Sequence, residues 1–460
     1  MSLTTPLSVQ KLQATLHAKA KDSPTQRFHA LYDKVYRKDV LAHAYTRCRA
    51  NKGAAGVDNQ TFEDIEEYGL EQWLEELTQE LKNQTYKPQA VRRVYIPKPD
   101  GKQRPLGIPT IRDRVVQMSA VLVLGPIFEA DLPPEQYAYR ENRSALDAVE
   151  AVHKLLIQGY RAVVDADLSG YFDSVPHAEL MKSVARRVVD GAMLHLIKMW
   201  LEAPVEETDD EGKQHRSTRN RDEGRGTPQG SPISPLLSNL YMRRFVMGWR
   251  KLGHQARLGA HIVNYADDFV ICCRGNAETA MQAMRGMMEK LKLTVNETKT
   301  HQRCVPPESF DFLGYTFGQM YWKKNGRPYI GKQPSLKRVA RIREAISAMT
   351  DRRKVQQEPE EKAAELNRVL RGWAGYFQLG AVSKAYRAIE AHTCHRMRQW
   401  LRSKYKQRQI SYKSHSDAYL HTQLGLLNMT RLPAANRVRK QQGNCLTPRA
   451  GCEKFARPVR

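Results

Sequence analysis

A doublet of aspartates sits between two apolar, β-prone runs in His261-Ile262-Val263-Asn264-Tyr265-Ala266-Asp267-Asp268-Phe269-Val270-Ile271-Cys272-Cys273. That pattern predicts a β-hairpin with Asp267 and Asp268 at its tip. Adjacent carboxylates repel, so a fold that holds them together calls for a divalent cation to neutralise them. Hard oxygen donors select Mg2+ or Mn2+ over softer metals. A site of this kind can drive phosphoryl or nucleotidyl transfer. The plain alternative is a solvated Asp-Asp turn, and the four residues from Tyr265 to Asp268 do not by themselves decide between the two.

A third acid supplies the missing company. Arg161 to Asp173 reads as a short apolar strand running into acidic residues, with Asp167 at the strand's end. If this strand lies beside the hairpin, Asp167, Asp267 and Asp268 converge. Two-metal catalysis needs that arrangement: one ion activates an attacking 3′-hydroxyl, and the other steadies the triphosphate and the leaving pyrophosphate. Taken alone, Asp167 reads better as a helix N-cap or a surface turn; paired with Asp267 it does not.

The chain carries 74 basic against 49 acidic residues, a formal charge of +25, spread along its 460 residues. A polyanion is the natural partner of such a surface, because each neutralised phosphate releases a counterion. The length suits two or three domains. No apolar run approaches the roughly 20 residues that span a bilayer, and the first residues lack a secretory pattern. The seven cysteines are odd in number and scattered, which suits reduced thiols in a cytoplasm; the expected location is a bacterial cytoplasm or nucleoid.

Residues 1–90 read as a helical N-terminal extension and part of the fingers. Arg92 to Pro109 reads as a hairpin turning at Pro99-Asp100-Gly101. Its arms carry Lys98, Lys102 and Arg104, and such a basic hairpin can close over a triphosphate. A helix is expected from Pro176 or His177, with the helical pattern continuing from Val184 to Leu201. Glu206 to Arg225 reads as an exposed loop or hairpin. Gly226 to Tyr241 is a Gly/Pro turn feeding a helix, with Ser234 as N-cap and Pro235 in the first turn. Ala277–Leu291 is an amphipathic helix, followed by short strands near 310–317 and 329–330. The character changes near 320–335. Leu336–Met349, Glu361–Tyr376 and Lys384–Tyr405 are helical and basic, and 411–460 is a basic, weakly patterned tail.

Eight blocks stand in one order: Gly56-Val57-Asp58; Gly101 to Pro109; Tyr137-Ala138-Tyr139-Arg140 with Arg143-Ser144; the Asp167 strand; Gly226 to Pro235; the Tyr265 hairpin; Asn296-Glu297-Thr298-Lys299-Thr300; and Phe312-Leu313-Gly314-Tyr315. With these blocks the chain resembles the group II intron-encoded reverse transcriptases, also called maturases, from about residue 28 to about 430. The resemblance implies an α+β right-hand fold, with a fingers and palm region over 91–325 built on an antiparallel sheet. An α-helical thumb, or maturase domain, would cover 335–410.

It also implies site residues. Asp167 and Asp267 would be the principal ligands of two Mg2+ ions, or of Mn2+. The backbone carbonyl of Leu168 would complete one shell, and Asp268 would act as a secondary carboxylate. Phe172 falls at a steric-gate position, where a ring crowds a ribose 2′-hydroxyl; it reads equally as a core aromatic. Lys98 and Arg104 would hold the incoming triphosphate, and Gln229 would sit near the templating base or incoming nucleotide. In the thumb, Lys337, Arg338, Arg341, Arg343, Arg368 and Arg371 recur at helical spacings, so several are expected to share a face towards phosphates. Trp373, Tyr376 and Phe377 read as core.

The implied partners are intron RNA, an RNA template with a DNA primer, dNTPs and target DNA. The implied activity is RNA-directed DNA polymerisation, with assistance to splicing and retrohoming. A domesticated reverse transcriptase in DNA repair or phage defence, and a splicing cofactor with an unused polymerase, stay open as alternatives. The tail has Cys445 and Cys452 but no Cys-x-x-Cys, so no metal-bearing endonuclease is expected, and a DNA-binding role for 411–460 rests on charge alone.

Overall fold

The computed structural model describes residues 4–97, 101, 103–209, 211–407 and 409–432. Lys98, Lys102, the Pro99-Asp100 turn, Cys445, Cys452 and the chain beyond 432 therefore lie outside the described residues.

The chain opens with helices α1 (Leu7–Asp22), α2 (Tyr32–Val35), α3 (Lys38–Ala50), α4 (Phe62–Tyr68) and α5 (Leu70–Lys82). A hairpin of β1 (Val91–Pro97) and β2 (Gln103–Ile108) follows, then α6 (Ile111–Glu129). Helix α6 is buried on nearly every side rather than along one stripe, polar Asp113, Arg114 and Gln117 included, so it is the buried axle of the molecule; α1 and α3 pack along it. Thr110 caps it by accepting from the Asp113 amide at 3.1 Å.

Next come α7 (Ala145–Ile157), β3 (Ala162–Ala166), the single turn α8 (Tyr171–Ser174), α9 (His177–Ala185) and α10 (Gly191–Glu202). The helical pattern expected over Val184–Leu201 is broken at 186–190. Asp190 explains the break: one carboxylate oxygen caps α10 through the Met193 amide at 3.1 Å, and the other accepts from the Leu31 and Tyr32 amides at 2.7 and 2.8 Å.

The exposed stretch after Glu206 is a hairpin of β4 (Val205–Thr208) and β5 (Gln214–Ser217), trailed by the turn α11 (Arg219–Asp222). Strand β4 pairs in parallel with β1, giving a sheet ordered β2-β1-β4-β5. Helix α12 (Ser234–Lys251) starts at Ser234 itself, capped by Ile233. Ser234 is not the N-cap because its hydroxyl donates backwards to the Pro228 carbonyl at 2.8 Å.

After the turn α13 (His254–Arg257) come β6 (Ala260–Tyr265), β7 (Asp268–Cys273), α14 (Ala277–Lys290) and β8 (His301–Cys304). With β3 they form an antiparallel sheet ordered β6-β7-β3-β8. One face of that sheet, through Val164, Ala166, Phe269 and Ile271, joins the main core. The other, through Val163, Val263, Val270 and Cys272, packs with α7 and a second antiparallel sheet of β9 (Phe310–Phe312), β10 (Tyr315–Tyr321) and β11 (Pro328–Pro334).

Helices α15 (Leu336–Met349), α16 (Pro359–Tyr376) and α17 (Ser383–Tyr405) build a separate core on Ile346, Leu366, Leu370, Ile389, Met397 and Trp400. Residues 411–432, which the sequence groups with a basic tail, close this core. Leu420 on α18 (Asp417–Thr422), with Leu424, Leu426 and Met429, is buried in it. Four apolar side chains within ten residues outweigh the surrounding charge, and at roughly 1.5–3 kcal/mol for each buried side chain the segment is held firmly. The joint to the sheets is aromatic. Tyr315 donates its hydroxyl to the Tyr376 carbonyl at 2.7 Å, and Tyr376 donates to the Leu313 carbonyl at 2.8 Å. Phe377 packs against Tyr315 with ring centroids 5.2 Å apart. No described helix is long and apolar enough to cross a membrane.

Candidate active site

Strand β3 lies between β7 and β8, antiparallel to both. Ala166 pairs with Phe269, so the next step of the register sets Asp167 opposite Asp268. Alternate residues of a strand share a face, so Asp165 and Asp167 stand on the face away from the main core. The β6–β7 hairpin closes with Tyr265 opposite Asp268, leaving Ala266 and Asp267 as a two-residue turn. Ala266 takes φ 57°, where a side chain is disfavoured. Asn264 holds it there: its buried amide donates to the Ala266 carbonyl at 2.8 Å, while its backbone pairs with Glu135 and Tyr137.

The segment after α14 grips Asp167. The Asn296 amide N–H donates to the Asp167 carbonyl at 2.8 Å, and its side chain donates to Asp167 Oδ2 at 2.9 Å. Thr298 donates to Asn296 Oδ1 at 2.8 Å, which fixes the amide's orientation. Lys299 Nζ lies 3.3 Å from Asp167 Oδ2. Ser169 N–H donates to the Thr294 carbonyl at 2.9 Å. These bonds flank the Leu168–Val295 bridge, so the carbonyl of Leu168 points to the opposite edge, towards the β7 side.

Crowded acids shape the electrostatics. Burial, then the charges of Asp167 and Asp311, pushes the Asp165 carboxyl up to about 7. Asp268 keeps solvent access at the tip. Crowding by protein atoms there, then the charges of Asp267, Asp167 and Asp165, still pushes it up to about 7. An oxygen-only set of mutually repelling acids, opposed mainly by Lys299, fits a hard divalent cation. As the side chains stand, no three His, Cys, Asp or Glu among the described residues enclose an ion. Asp167 Oδ2 is instead engaged by Asn296 and Lys299.

Beside the acids, Phe172 lies on the turn α8, half-buried against the main core, with Tyr171 beneath it anchored to the Ser238 carbonyl at 2.7 Å. The Phe172 carbonyl accepts from Thr227 N–H at 2.7 Å, so the Gly/Pro turn and the Phe172 turn move together. Gln229 is half-buried, and its carbonyl accepts from Gly107 N–H at 2.6 Å. That closeness requires glycine at two places. A Cβ on Gly107 would lie 2.7 Å from Val91 Cγ1, and one on Gly230 would lie 2.4 Å from the Gly107 carbonyl oxygen. Arg104 is exposed on β2 opposite Ile96.

In the helical unit Lys337, Arg341, Arg343, Arg368 and Arg371 are exposed and Arg338 is half-buried. At about 100° per residue, Lys337 and Arg341 share the face of α15 opposite Ile342 and Ile346, with Arg338 beside them. Arg343 falls on another flank. Trp373 and Tyr376 are half-buried and Phe377 is buried in the aromatic joint.

Sequence reasoning missed three contributors. Asn296 and Lys299 lie in a block noted for its order but given no role. Asp165 was visible only as part of a strand. The strand alternation that puts Asp165 and Asp167 on one face was the available signal.

Residues 96–317 match the family model described as reverse transcriptase (RNA-dependent DNA polymerase), and residues 339–419 match the group II intron maturase-specific domain. Protein YkfC of Escherichia coli is 33% identical over 346 residues, covering 67% of this chain and 87% of that protein. The group II intron-encoded protein LtrA of Lactococcus lactis is 28% identical over 337 residues, 59% of this chain and 54% of LtrA. This chain thus spans about half of LtrA's length. Among solved structures, Candida albicans telomerase aligns over 75% of this chain and 67% of its own, with 12% identity and a TM-score of 0.40.

Proposed function

Since the chain belongs to the group II intron-encoded reverse transcriptase and maturase family, we propose that it copies RNA into DNA at the Asp167–Asp267–Asp268 cluster. We propose also that it binds the RNA of its parent intron and assists splicing and retrohoming. The observation that carries the polymerase reading is the register that sets Asp167 beside the Asp267-Asp268 tip, with two neighbouring acids driven up to about 7.

Asp167, Asp267 and the Leu168 carbonyl would hold two Mg2+ ions, with Asp268 adding charge. When bound, such ions lower the cost of deprotonating a primer 3′-hydroxyl and offset charge on the leaving pyrophosphate. The protein's own residues set the geometry. Asn296 leaves Asp167 Oδ1 as the oxygen not engaged by its amide. Phe172 and the 226–230 turn wall the nucleotide's sugar and base. Arg104, with Lys98, meets its phosphates. The exposed cations of α15 and α16 lie against the duplex or intron RNA.

Primer extension on an RNA template with dNTPs and Mg2+ tests this, comparing wild type with Asp267→Ala/Asp268→Ala. Extension by wild type and none by the variant is expected. Equal extension by both would overturn the assignment of the acids. No extension by either, with tight RNA binding kept, would leave a splicing cofactor.

A further inference from the structure

The β10–β11 hairpin ends in a tip that neither family match includes: the two matches stop at 317 and resume at 339. Beyond the last ladder pair, Tyr321 with Pro328, the chain turns through Trp322, Lys323, Lys324, Asn325, Gly326 and Arg327. The turn is tied down. Trp322 N–H donates to the Arg327 carbonyl at 3.0 Å, and Gly326 N–H to the Trp322 carbonyl at 2.8 Å. Gly326 takes φ 64°.

Two features of the tip are unusual. Trp322 is 57% exposed and Tyr321 63% exposed, although apolar rings are normally driven inward. Of the six tryptophans Trp322 is the most exposed, and it stands stacked on Tyr329 with centroids 4.5 Å apart and planes at 29°. Its outer face is therefore presented flat, with its rotamer already fixed. The second feature is charge. Lys323, Lys324 and Arg327 are exposed, none pairs with a carboxylate among the described residues, and no acid occurs between Gln319 and Tyr329. Rigid rings with unopposed cations match the chemistry of unpaired nucleotides: a base stacks on the ring while phosphates meet the cations. Along a paired duplex the base faces are covered within the stack, and only its two ends offer one to such a ring.

We propose that the hairpin tip, with Trp322 as its platform and Lys323, Lys324 and Arg327 around it, binds single-stranded RNA. Tyr315 to Tyr321 advances about 3.3 Å per residue, so the tip stands roughly 20 Å along the strand from the aromatic joint. It is a separate contact from the acid cluster. The inference rests on the RNA-copying reading only in its choice of RNA over DNA.

The test uses the full chain and a fluorescently labelled, unstructured 20-nucleotide RNA, with a blunt RNA duplex and a single-stranded DNA of the same sequence as comparisons. Trp322→Ala should weaken single-stranded RNA binding about tenfold or more and leave duplex binding unchanged. RNA should quench tryptophan emission in wild type and quench it far less in Trp322→Phe, a readout that a merely structural ring would not give. Lys323→Gln/Lys324→Gln/Arg327→Gln should lower the slope of log affinity against log salt by about 2. Unchanged affinity and quenching in the Trp322 variants would overturn the proposal, as would a loss confined to single-stranded DNA. Extension of a paired primer–template with a template overhang of only a few nucleotides serves as the parallel readout. A wild type that extends but shows no dependence on Trp322 sinks this inference alone, and Trp322-dependent RNA binding without extension sinks the polymerase reading alone.

Discussion

Replacing Gly230 by alanine is the sharpest perturbation of the 226–230 turn, which we propose faces the incoming nucleotide. Gly230 holds φ +114°, and its Cβ would lie 2.4 Å from the Gly107 carbonyl oxygen and 3.1 Å from Leu106 Cδ1. A side chain in that backbone region costs about 1–3 kcal/mol. The first contact must also open to at least 3.0 Å, and the obstacle is backbone, which cannot rotate away. The Gly107 N–H to Gln229 carbonyl bond, 2.6 Å long, spans the same gap; weakening it costs about 1 kcal/mol more. The total is about 2–4 kcal/mol, which at about 1 °C per kcal/mol for a chain of 460 residues lowers Tm by roughly 2–4 °C. Because Gln229 rides on this turn, KM for dNTPs should rise severalfold in single-nucleotide incorporation, with a smaller change in kcat. Gly286→Ala is the control. Nothing lies within 4 Å of its added methyl inside α14, and alanine there is favoured by about 1 kcal/mol. A Gly230→Ala protein that matched wild type in both Tm and KM would refute the claim that the turn is a fixed wall.

Three further outcomes are expected. Asn296→Ala frees the Asp167 carboxylate to rotate, and should raise the Mg2+ concentration for half-maximal extension by about tenfold while leaving RNA affinity unchanged; an unaltered Mg2+ titration would remove Asn296 from the site. Asp165 and Asp268 hold protons up to about 7 in the fold, against 3.8 in an open chain. Between these values the folded state binds protons that the unfolded chain has released, so stability is greatest below about pH 4 on this account and declines as pH rises through 7. Urea midpoints for wild type and Asp165→Asn/Asp268→Asn at pH 5 and 8, without divalent ions, isolate the term: the variant should lose less on going to pH 8, and Mg2+ should restore part of the wild-type loss. Phe172→Ala should admit ribonucleotides in competition with dNTPs, and unchanged sugar selectivity would return Phe172 to a core role.

Local pattern reached far in this chain. Apolar, β-prone runs interrupted by two acids gave the β6–β7 hairpin, and helical periodicity gave α14 to α17, because short-range periodicity reports directly on which side of an element is dry. What it could not reach depends on distant partners. Asp190 ends a helix because the Leu31 and Tyr32 amides, about 160 residues away, claim its second oxygen. Ser234 leaves the cap position for a carbonyl in the preceding turn. Residues 420–429 look like tail by charge, yet four spaced apolar side chains dock them into the helical core. At the site, the acids were legible by type and spacing, whereas the hand that steadies Asp167 was not. An Asn and a Lys in a polar loop carry no sign of direction until the Leu168–Val295 bridge brings them alongside.

The aromatic joint between the sheets and α16 works as a caliper. Tyr315 reaches across to the Tyr376 carbonyl, and Tyr376 reaches back to that of Leu313. A joint pinned in both directions cannot swing about one pin without pulling the other, and each broken bond costs about 1 kcal/mol or leaves a carbonyl bare. The helical unit is thus fixed against the β9–β10 corner rather than hinged on it. If this unit grips a primer–template duplex, as proposed, the duplex has to slide past a wall held in place rather than be carried along by one.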